Sequence, residues 1–430
     1  MTHNTLGQLM AATALLLLAG CGDGPGRARH VVIVSVDTLR ADRLGAYGYA
    51  RARTPAIDAL AAESVRFERA YAHSSMTLPS VASLLTGHAP GRHGVLSNMM
   101  SLGEGSDTLA TRLRAAGFRT GGFVGNPVLR REAGIAEGFE HYAESFRVDG
   151  ELVKAPEHSA ALLTSAALGW LDSLDPGSRV FLWLHYQEPH GPYQPQHFEA
   201  PEPSEDEIEL PQNSSHSGRG GIPRYQWLGH GRLSEYQARY DAEIAELDQE
   251  LSRLLLGLRQ RGLLEQSALV FTADHGEAFG EEGVFCAHGE GLGETLLHVP
   301  LLLRVAGEAA ALRRDRVGLA DVAPTMLRLA GVSSSASSLT EDLGDRTIVA
   351  QMLGEVGDWN SWRSIRSGSR ELSEREPRPG KTAPEPLPEL RELRTALDAV
   401  APWLGDGRPD ALELGPRERE ALRNLGYLER

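Results

Sequence analysis

Cysteine is scarce in this chain of 430 residues, which contains only Cys21 and Cys286. Two cysteines cannot form the disulfide framework that supports small secreted scaffolds. Basic residues are in deficit as well, because 43 lysines and arginines face 58 acidic residues and leave a net charge of −15. Binding to nucleic acid needs a basic surface, so we expect no nucleic acid among the partners. Beyond the first twenty residues, no apolar run is long enough to cross a membrane as a helix.

The N-terminus carries a short apolar run, from Met10 to Ala19, that ends in Leu-Ala-Gly-Cys21. A run of this length followed by small residues is typical of a signal peptide rather than a membrane span. The segment resembles the lipobox of bacterial lipoproteins. This resemblance implies removal of residues 1–20, lipid on Cys21 and a tether over residues 21–30. The protein would then be exported and held on the bacterial outer membrane or facing the periplasm. A simple secretory signal and an uncleaved anchor remain alternatives, since Met1–Leu9 has no Lys or Arg.

The rest of the chain alternates buried strands with amphipathic helices. Strands are predicted over four apolar runs: His30–Val36, Arg179–Tyr186, Ser267–Ala273 and His298–Val305. Continuous apolar strands separated by helices predict an α/β layer sandwich with a largely parallel sheet. Residues 198–228 are rich in Pro, Ser, Gly and Glu and predict a long surface loop. After residue 331 the pattern weakens: we expect poor order over 366–390 and a last helix at 417–425.

Polar side chains follow three of these strands. Asp37 comes directly after the first, Asp274 and His275 directly after the third, and His190 just past the second. Ligands bind outside the carboxyl ends of strands in open α/β sheets. Two carboxylates and an imidazole there suit a divalent metal ion. Taken singly, Asp37 could be a helix cap, Asp274-His275 an ordinary turn, and His190 a packed side chain.

Thr77 precedes a predicted short helix over residues 78–85. A hydroxyl at a helix N-terminus lies close to backbone N–H groups that attract a phosphate or sulfate ester. A metal ion would also make this hydroxyl a better nucleophile. The alternative is that Thr77 only caps the helix.

Taken together, these segments resemble the sulfatase branch of the alkaline phosphatase superfamily. The likeness spans residues 31–332 and lies in six pieces in family order: VVIVSVDTLRADRLGAYGY, TLPSVASLLTGHAPGRHGV, GFRTGGFVGN, HYQEPHGPY, DHGEAFGEEGVFCAHGE and VPLLLR. It implies an alkaline phosphatase-like three-layer sandwich with a central, mostly parallel sheet. We expect a catalytic domain over residues 31–335 and a shortened C-terminal subdomain and tail, partly disordered, over 336–430.

The resemblance also implies roles for single residues. Metal ligands would be Asp37, Thr77, Asp274 and His275. Catalytic residues would be Thr77 as nucleophile, His190 at the ester oxygens and His288 at the leaving group. Asn98 and Thr120 match positions that contact the substrate.

Departures from the family pattern change the expected nucleophile and the expected metal. Thr77 stands where sulfatases carry the Cys or Ser that becomes formylglycine, and Val81 replaces the motif's Arg. Oxidation of threonine would give a ketone, so no formylglycine is expected. Thr38 stands in place of a second aspartate, and with a histidine ligand this favours Mn²⁺ or Zn²⁺ over Ca²⁺ or Mg²⁺.

Three functions stay open. The first is a metal-dependent hydrolase that uses Thr77 on a phosphoester, and the second is a true sulfuric ester hydrolase without formylglycine. The third is a non-catalytic binding protein on a sulfatase fold. The substrate would be a sulfated or phosphorylated small molecule, glycan or lipid.

Overall fold

The computed structural model describes residues 28–148, 151–152, 159–353, 361–375, 386, 388–401 and 416. The predicted signal peptide, Cys21 and most of the tether lie outside the described residues, as does the helix predicted at 417–425. In the part that is described, no helix combines the length and apolar character needed to cross a membrane.

Fifteen strands and nine α-helices are described. The strands are His30–Val36 (β1), Val65–Tyr71 (β2), Arg119–Val124 (β3), His141–Glu144 (β4), Arg147–Val148 (β5), Glu151–Leu152 (β6), Val180–Tyr186 (β7), Ser267–Ala273 (β8), Ala278–Phe279 (β9), Phe285–Ala287 (β10), Leu301–Val305 (β11), Ala311–Gly318 (β12), Ile348–Leu353 (β13), Ser361–Ser367 (β14) and Arg370–Arg375 (β15). The helices are Pro55–Ala62 (α1), Thr77–Thr86 (α2), Pro90–His93 (α3), Leu109–Ala115 (α4), Ser159–Asp172 (α5), Leu233–Gln260 (α6), Glu294–Leu297 (α7), Val322–Leu329 (α8) and Arg391–Val400 (α9).

The main sheet has eight strands in the order β12-β2-β11-β8-β1-β7-β3-β4. Every pairing is parallel except the two made by β11, which runs against β8 and β2. Helices α1, α5 and α6 pack together on one face, and α2, α4 and α8 pack together on the other. The predicted three-layer sandwich with a mostly parallel sheet is confirmed.

The three central strands explain where the chemistry lies. β1, β7 and β8 are buried along their whole length, as expected for apolar strands covered by helices on both faces. In the pairing register Val36 lies beside Tyr186 on one side and Ala273 on the other. The residues that follow these strands therefore emerge at the same edge of the sheet.

The predicted disorder over 366–390 is wrong for its first part. Strands β13, β14 and β15 form a three-stranded antiparallel sheet, and α9 packs against it. Its small core includes Ile365, Leu372 and Leu397, which are spaced among charged residues and so escape a search for apolar runs. Strand β13 is hydrogen-bonded to residues 73 and 96 of the larger layer structure. The domain boundary at 335 stays a prediction.

Candidate metal and ester site

Two aspartates meet at the carboxyl edge of the sheet. The backbone ladder continues one step past the strands, because the N–H of Asp37 donates to the Tyr186 carbonyl and that of Asp274 to the Val36 carbonyl. Both side chains are fully buried. The parallel register thus brings two carboxyl groups, from distant parts of the chain, into one pocket of the interior.

In each carboxyl group one oxygen accepts hydrogen bonds, and the other oxygen has no hydrogen-bond partner. Asp274 Oδ1 accepts hydrogen bonds from the backbone N–H of His275 at 2.7 Å and of Thr38 at 3.2 Å. Asp37 Oδ2 accepts from Asn126 Nδ2 at 2.5 Å. Asp37 Oδ1 and Asp274 Oδ2 are buried without a hydrogen-bond partner. Buried unpaired carboxylate oxygens are costly, so this pair fits a bound cation.

Thr38 locks the two aspartates together at some cost in backbone strain. Its φ is 55°, a left-handed conformation that β-branched residues rarely adopt. A residue in this strained conformation destabilises the folded chain by about 1–3 kcal/mol, and it persists only where the surrounding structure imposes it. Here its N–H points to Asp274, and its carbonyl accepts from the Tyr240 hydroxyl at 2.6 Å.

The electrostatics of the pair also favour a cation. Burial raises the pKa of Asp274 well above its ordinary value, and the charge of Asp37 raises it further. Burial acts the same way on Asp37, but His190, His185 and His275 outweigh it and lower its pKa. Two adjacent buried carboxyls therefore do not both ionise without a positive partner.

His275 presents a ring nitrogen to this pocket. Its Nδ1 lies 2.9 Å from the Gly276 carbonyl, which only accepts, so Nδ1 carries the proton. Burial, with His288 nearby, lowers the His275 pKa to about 3, so its ring is neutral. Nε2 then faces Asp274 Oδ2 at 3.5 Å and Asp37 Oδ1 at 3.8 Å. A neutral imidazole whose other nitrogen donates to a carbonyl is the usual form of a histidine ligand.

Thr77 begins helix α2 but does not cap it. The N-cap position belongs to Met76, and no side chain caps this helix end. The Thr77 hydroxyl instead lies 3.4 Å from His275 Nε2, and it is fully buried. The capping alternative for Thr77 is therefore wrong, and its hydroxyl faces the aspartate pair at a helix N-terminus.

A second group of side chains borders the pocket. His288 Nδ1 lies 3.1 Å from Glu277 Oε1, and Glu277 Oε2 accepts from the Tyr193 hydroxyl at 2.8 Å. The ring of His288 is 4.5 Å from that of His275 and 5.0 Å from that of His190. His190 is buried and donates through Nδ1 to the Gly191 carbonyl at 2.7 Å. The three imidazole rings thus form one cluster.

Of the two residues predicted to contact the substrate, Asn98 lies beside the start of helix α2 and Thr120 lies away from the site. Asn98 is buried, and its Oδ1 accepts from the Leu78 N–H at 2.9 Å, which places it directly behind Thr77 at the helix start. Thr120 lies near the beginning of β3, at the end of the strand away from the site. Its hydroxyl donates to the Gly138 carbonyl and accepts from the Glu140 N–H. The structure does not bring Thr120 to the site, and both bonds of its hydroxyl are to the backbone of residues 138 and 140.

Sequence reasoning missed three residues of the site. His185 lies in β7 with its Nε2 3.6 Å from Asp37 Oδ2, and Asn126 supplies the donor to that same oxygen. Glu277 holds His288. The signal for His185 is a polar residue near the carboxyl end of the buried apolar strand RVFLWLHY. Asn126 carries a comparable signal, because it comes two residues after the buried strand β3 ends.

The sequence is similar to those of known sulfatases. A sequence model of the sulfatase family matches residues 29–332, and the chain belongs to that family. It is 23% identical over 365 residues to an arylsulfatase of Clostridium perfringens, covering 71% of this chain and 75% of that protein. It is 22% identical over 411 residues to an N-acetylglucosamine-6-O-sulfatase of Bacteroides thetaiotaomicron, covering 75% and 72%.

Solved structures share the fold. A 2-O GAG sulfatase aligns with a TM-score of 0.67 and 20% identity, over 91% of this chain and 96% of that one. The phosphonate monoester hydrolase of Agrobacterium radiobacter aligns with a TM-score of 0.60 and 20% identity, over 81% and 89%. Family and fold together support an ester hydrolase, and both sulfur and phosphorus esterases are among its structural neighbours.

Proposed function

We propose that this protein is a metal-dependent hydrolase of phosphoesters in which the Thr77 hydroxyl is the nucleophile. One observation carries the proposal: two buried carboxyl oxygens, of Asp37 and Asp274, lack partners beside a buried hydroxyl at a helix N-terminus. A cation would satisfy the oxygens. An ester anion would then lie against the positive end of helix α2.

The metal ligands in this proposal are Asp37, Thr77, Asp274 and His275. Oxygen donors with an imidazole nitrogen suit Mn²⁺ or Zn²⁺ better than the all-oxygen shell that Ca²⁺ prefers, with Mg²⁺ as a further alternative. When bound, a divalent ion would lower the pKa of the Thr77 hydroxyl and neutralise charge that develops on the ester oxygens.

The chain's own groups perform the remaining tasks. Thr77 Oγ releases its proton to solvent and attacks the phosphorus, and the bond to the leaving oxygen breaks. His288, held by Glu277 at 3.1 Å, gives a proton to that oxygen. His190 contacts the ester oxygens from the same side. Asn98 fixes the start of helix α2 and so positions Thr77. A water molecule then gives a proton to His288 and attacks the phosphorus, and the bond to Thr77 Oγ breaks as that oxygen takes up a proton.

A sulfate ester is the second candidate substrate. The relatives named above favour it, since they are sulfatases, one of them named for an N-acetylglucosamine-6-O-sulfate. Against it stands Thr77, because a sulfated threonine lacks the elimination route that a formylglycine hydrate offers. The alcohol part of either ester would be a small molecule, glycan or lipid.

Purified full-length protein with an aryl phosphodiester and an aryl sulfate separates these functions. With Mn²⁺ or Zn²⁺ we expect the phosphodiester to be cleaved faster, and Asp274→Asn to abolish turnover because it removes a metal ligand. Faster cleavage of the aryl sulfate would instead support the sulfuric ester hydrolase. No turnover of either ester with any of these metals would favour the non-catalytic binding protein.

We also propose that the protein is an exported lipoprotein attached through lipid on Cys21. The support is the apolar run that ends at this cysteine. In a bacterial host, labelled palmitate should enter the wild-type protein and not Cys21→Ser. Equal labelling of both would contradict lipidation at Cys21.

A further inference from the structure

His185 lies in the interior of the main sheet, one residue before the end of β7. Its register partners are Ser35 of β1 and Val124 of β3, and its side chain is fully buried. Nδ1 is 2.9 Å from Ser35 Oγ. Nε2 lies 3.6 Å from Asp37 Oδ2 and has no hydrogen-bond partner. One nitrogen is therefore held, and the other faces the carboxyl pair.

A direct hydrogen bond to Asp37 does not account for this nitrogen. Hydrogen bonds from N–H to oxygen span about 2.7–3.2 Å, and 3.6 Å is outside that range. Asp37 Oδ2 already accepts from Asn126 at 2.5 Å. One carboxyl oxygen each of Asp37 and Asp274 instead lies within 4.8 Å of a ring nitrogen of His185, close enough for all three residues to bind one ion. Neighbouring ligands of a five-coordinate ion with bonds of about 2.1 Å lie about 3.0–3.6 Å apart.

The hydrogen bonds around the other ring nitrogen, Nδ1, resemble those that support a histidine metal ligand. Ser35 Oγ accepts from Trp183 Nε1 at 2.9 Å and lies 3.4 Å from the Leu184 carbonyl. If the serine donates to that carbonyl, it accepts from both Trp183 and His185 Nδ1. Every donor is then satisfied, and Nε2 carries a bare lone pair. A second partner that fixes the ring in this way accompanies most histidine ligands.

We propose that His185 is a ligand of the divalent ion held by Asp37 and Asp274. The ligand atoms of these three residues lie within 4.8 Å of one another, and all three are buried. The inference rests on the proposed metal site and adds a second nitrogen to it, beside His275. Two nitrogens shift the preference further toward Zn²⁺ and Mn²⁺ and away from Ca²⁺.

Titration calorimetry with each metal chloride alone tests this on the full chain. Removing the nitrogen in His185→Gln should weaken Zn²⁺ and Mn²⁺ binding at least about tenfold, the loss typical of even an outer partner of a ligand. His73→Gln is the matched control, since His73 is a buried histidine hydrogen-bonded to Val349 of the C-terminal sheet. It should leave metal affinity unchanged.

A spectroscopic count on the wild-type protein keeps the test independent of how the variant folds. Electron spin echo measurements on the Mn²⁺-loaded chain should show two coordinated imidazoles, and His185→Gln should show one. If wild type binds metal with a single imidazole, or His185→Gln binds with wild-type affinity, the role of His185 is overturned and the proposed function stands. If wild type binds no divalent ion, both are overturned.

Discussion

Replacing Glu277 by glutamine isolates the charge that supports His288. The glutamine amide can still accept from His288 Nδ1 and donate to the Tyr193 oxygen, so the geometry is kept while the charge is lost. Glu277 is fully buried, and its Oε1 is 3.1 Å from the imidazole. Opposite charges at this distance attract by about 5 kcal/mol at an effective dielectric constant of about 20, an upper limit for stabilising the protonated ring.

General acids contribute about 10²–10⁴-fold to rate, so we expect Glu277→Gln to lower kcat about 100-fold for esters with poor leaving groups. Esters that release 4-nitrophenolate need little help from an acid and should lose much less. The assay is a series of aryl phosphodiesters of graded leaving-group basicity, with Tyr193→Phe as a control that keeps the charge. An equal loss across the whole series would refute proton donation supported by Glu277.

Three further perturbations follow from the described contacts. Asn98→Ala removes the acceptor for the Leu78 N–H and should cost about 1 kcal/mol in urea unfolding and lower kcat, whereas a change in KM alone would argue against a positioning role. Burial lowers the pKa of His73 to about 4, so protonation favours the unfolded chain: stability should be complete above pH 6.5 and fall by about 3 kcal/mol toward pH 4. His73→Gln should flatten that decline, and an unchanged profile would contradict the assignment. Chelation should lower the unfolding free energy by about 2.7 kcal/mol relative to protein with metal at 100 times its Kd, and no shift would contradict a structural contribution from the ion.

The central strands were predictable because a strand buried on both faces appears in the sequence as a continuous apolar run. The bounds of β1 and β8 match the predicted apolar runs residue for residue. Strand β2 (VRFERAY) and strand β12 (ALRRDRVG) were missed, because charged side chains interrupt both. They are strands because they pair with each other and β2 pairs with β11, a tertiary effect that local composition does not contain.

The site was predictable only for residues that directly follow the strands. A parallel sheet places residues that follow its strands at one edge, which is why Asp37 and Asp274 meet. The partners of those residues depend on side-chain directions between strands, so His185 and Asn126 were not found. Thr120 lies in strand β3, which leads to Asn126, but it is near the start of that strand and so at the end away from the site.

Hydrolysis of an aryl phosphodiester by Thr77→Ala and Thr77→Ser, with saturating Mn²⁺, tests the central claim most directly. Serine keeps the hydroxyl and loses only a methyl group, so it should retain activity within about 100-fold of wild type. Alanine lacks the nucleophile and should fall by at least about 10³-fold, as for other covalent catalysts. Activity of Thr77→Ala within tenfold of wild type would contradict the assignment of Thr77 as the nucleophile.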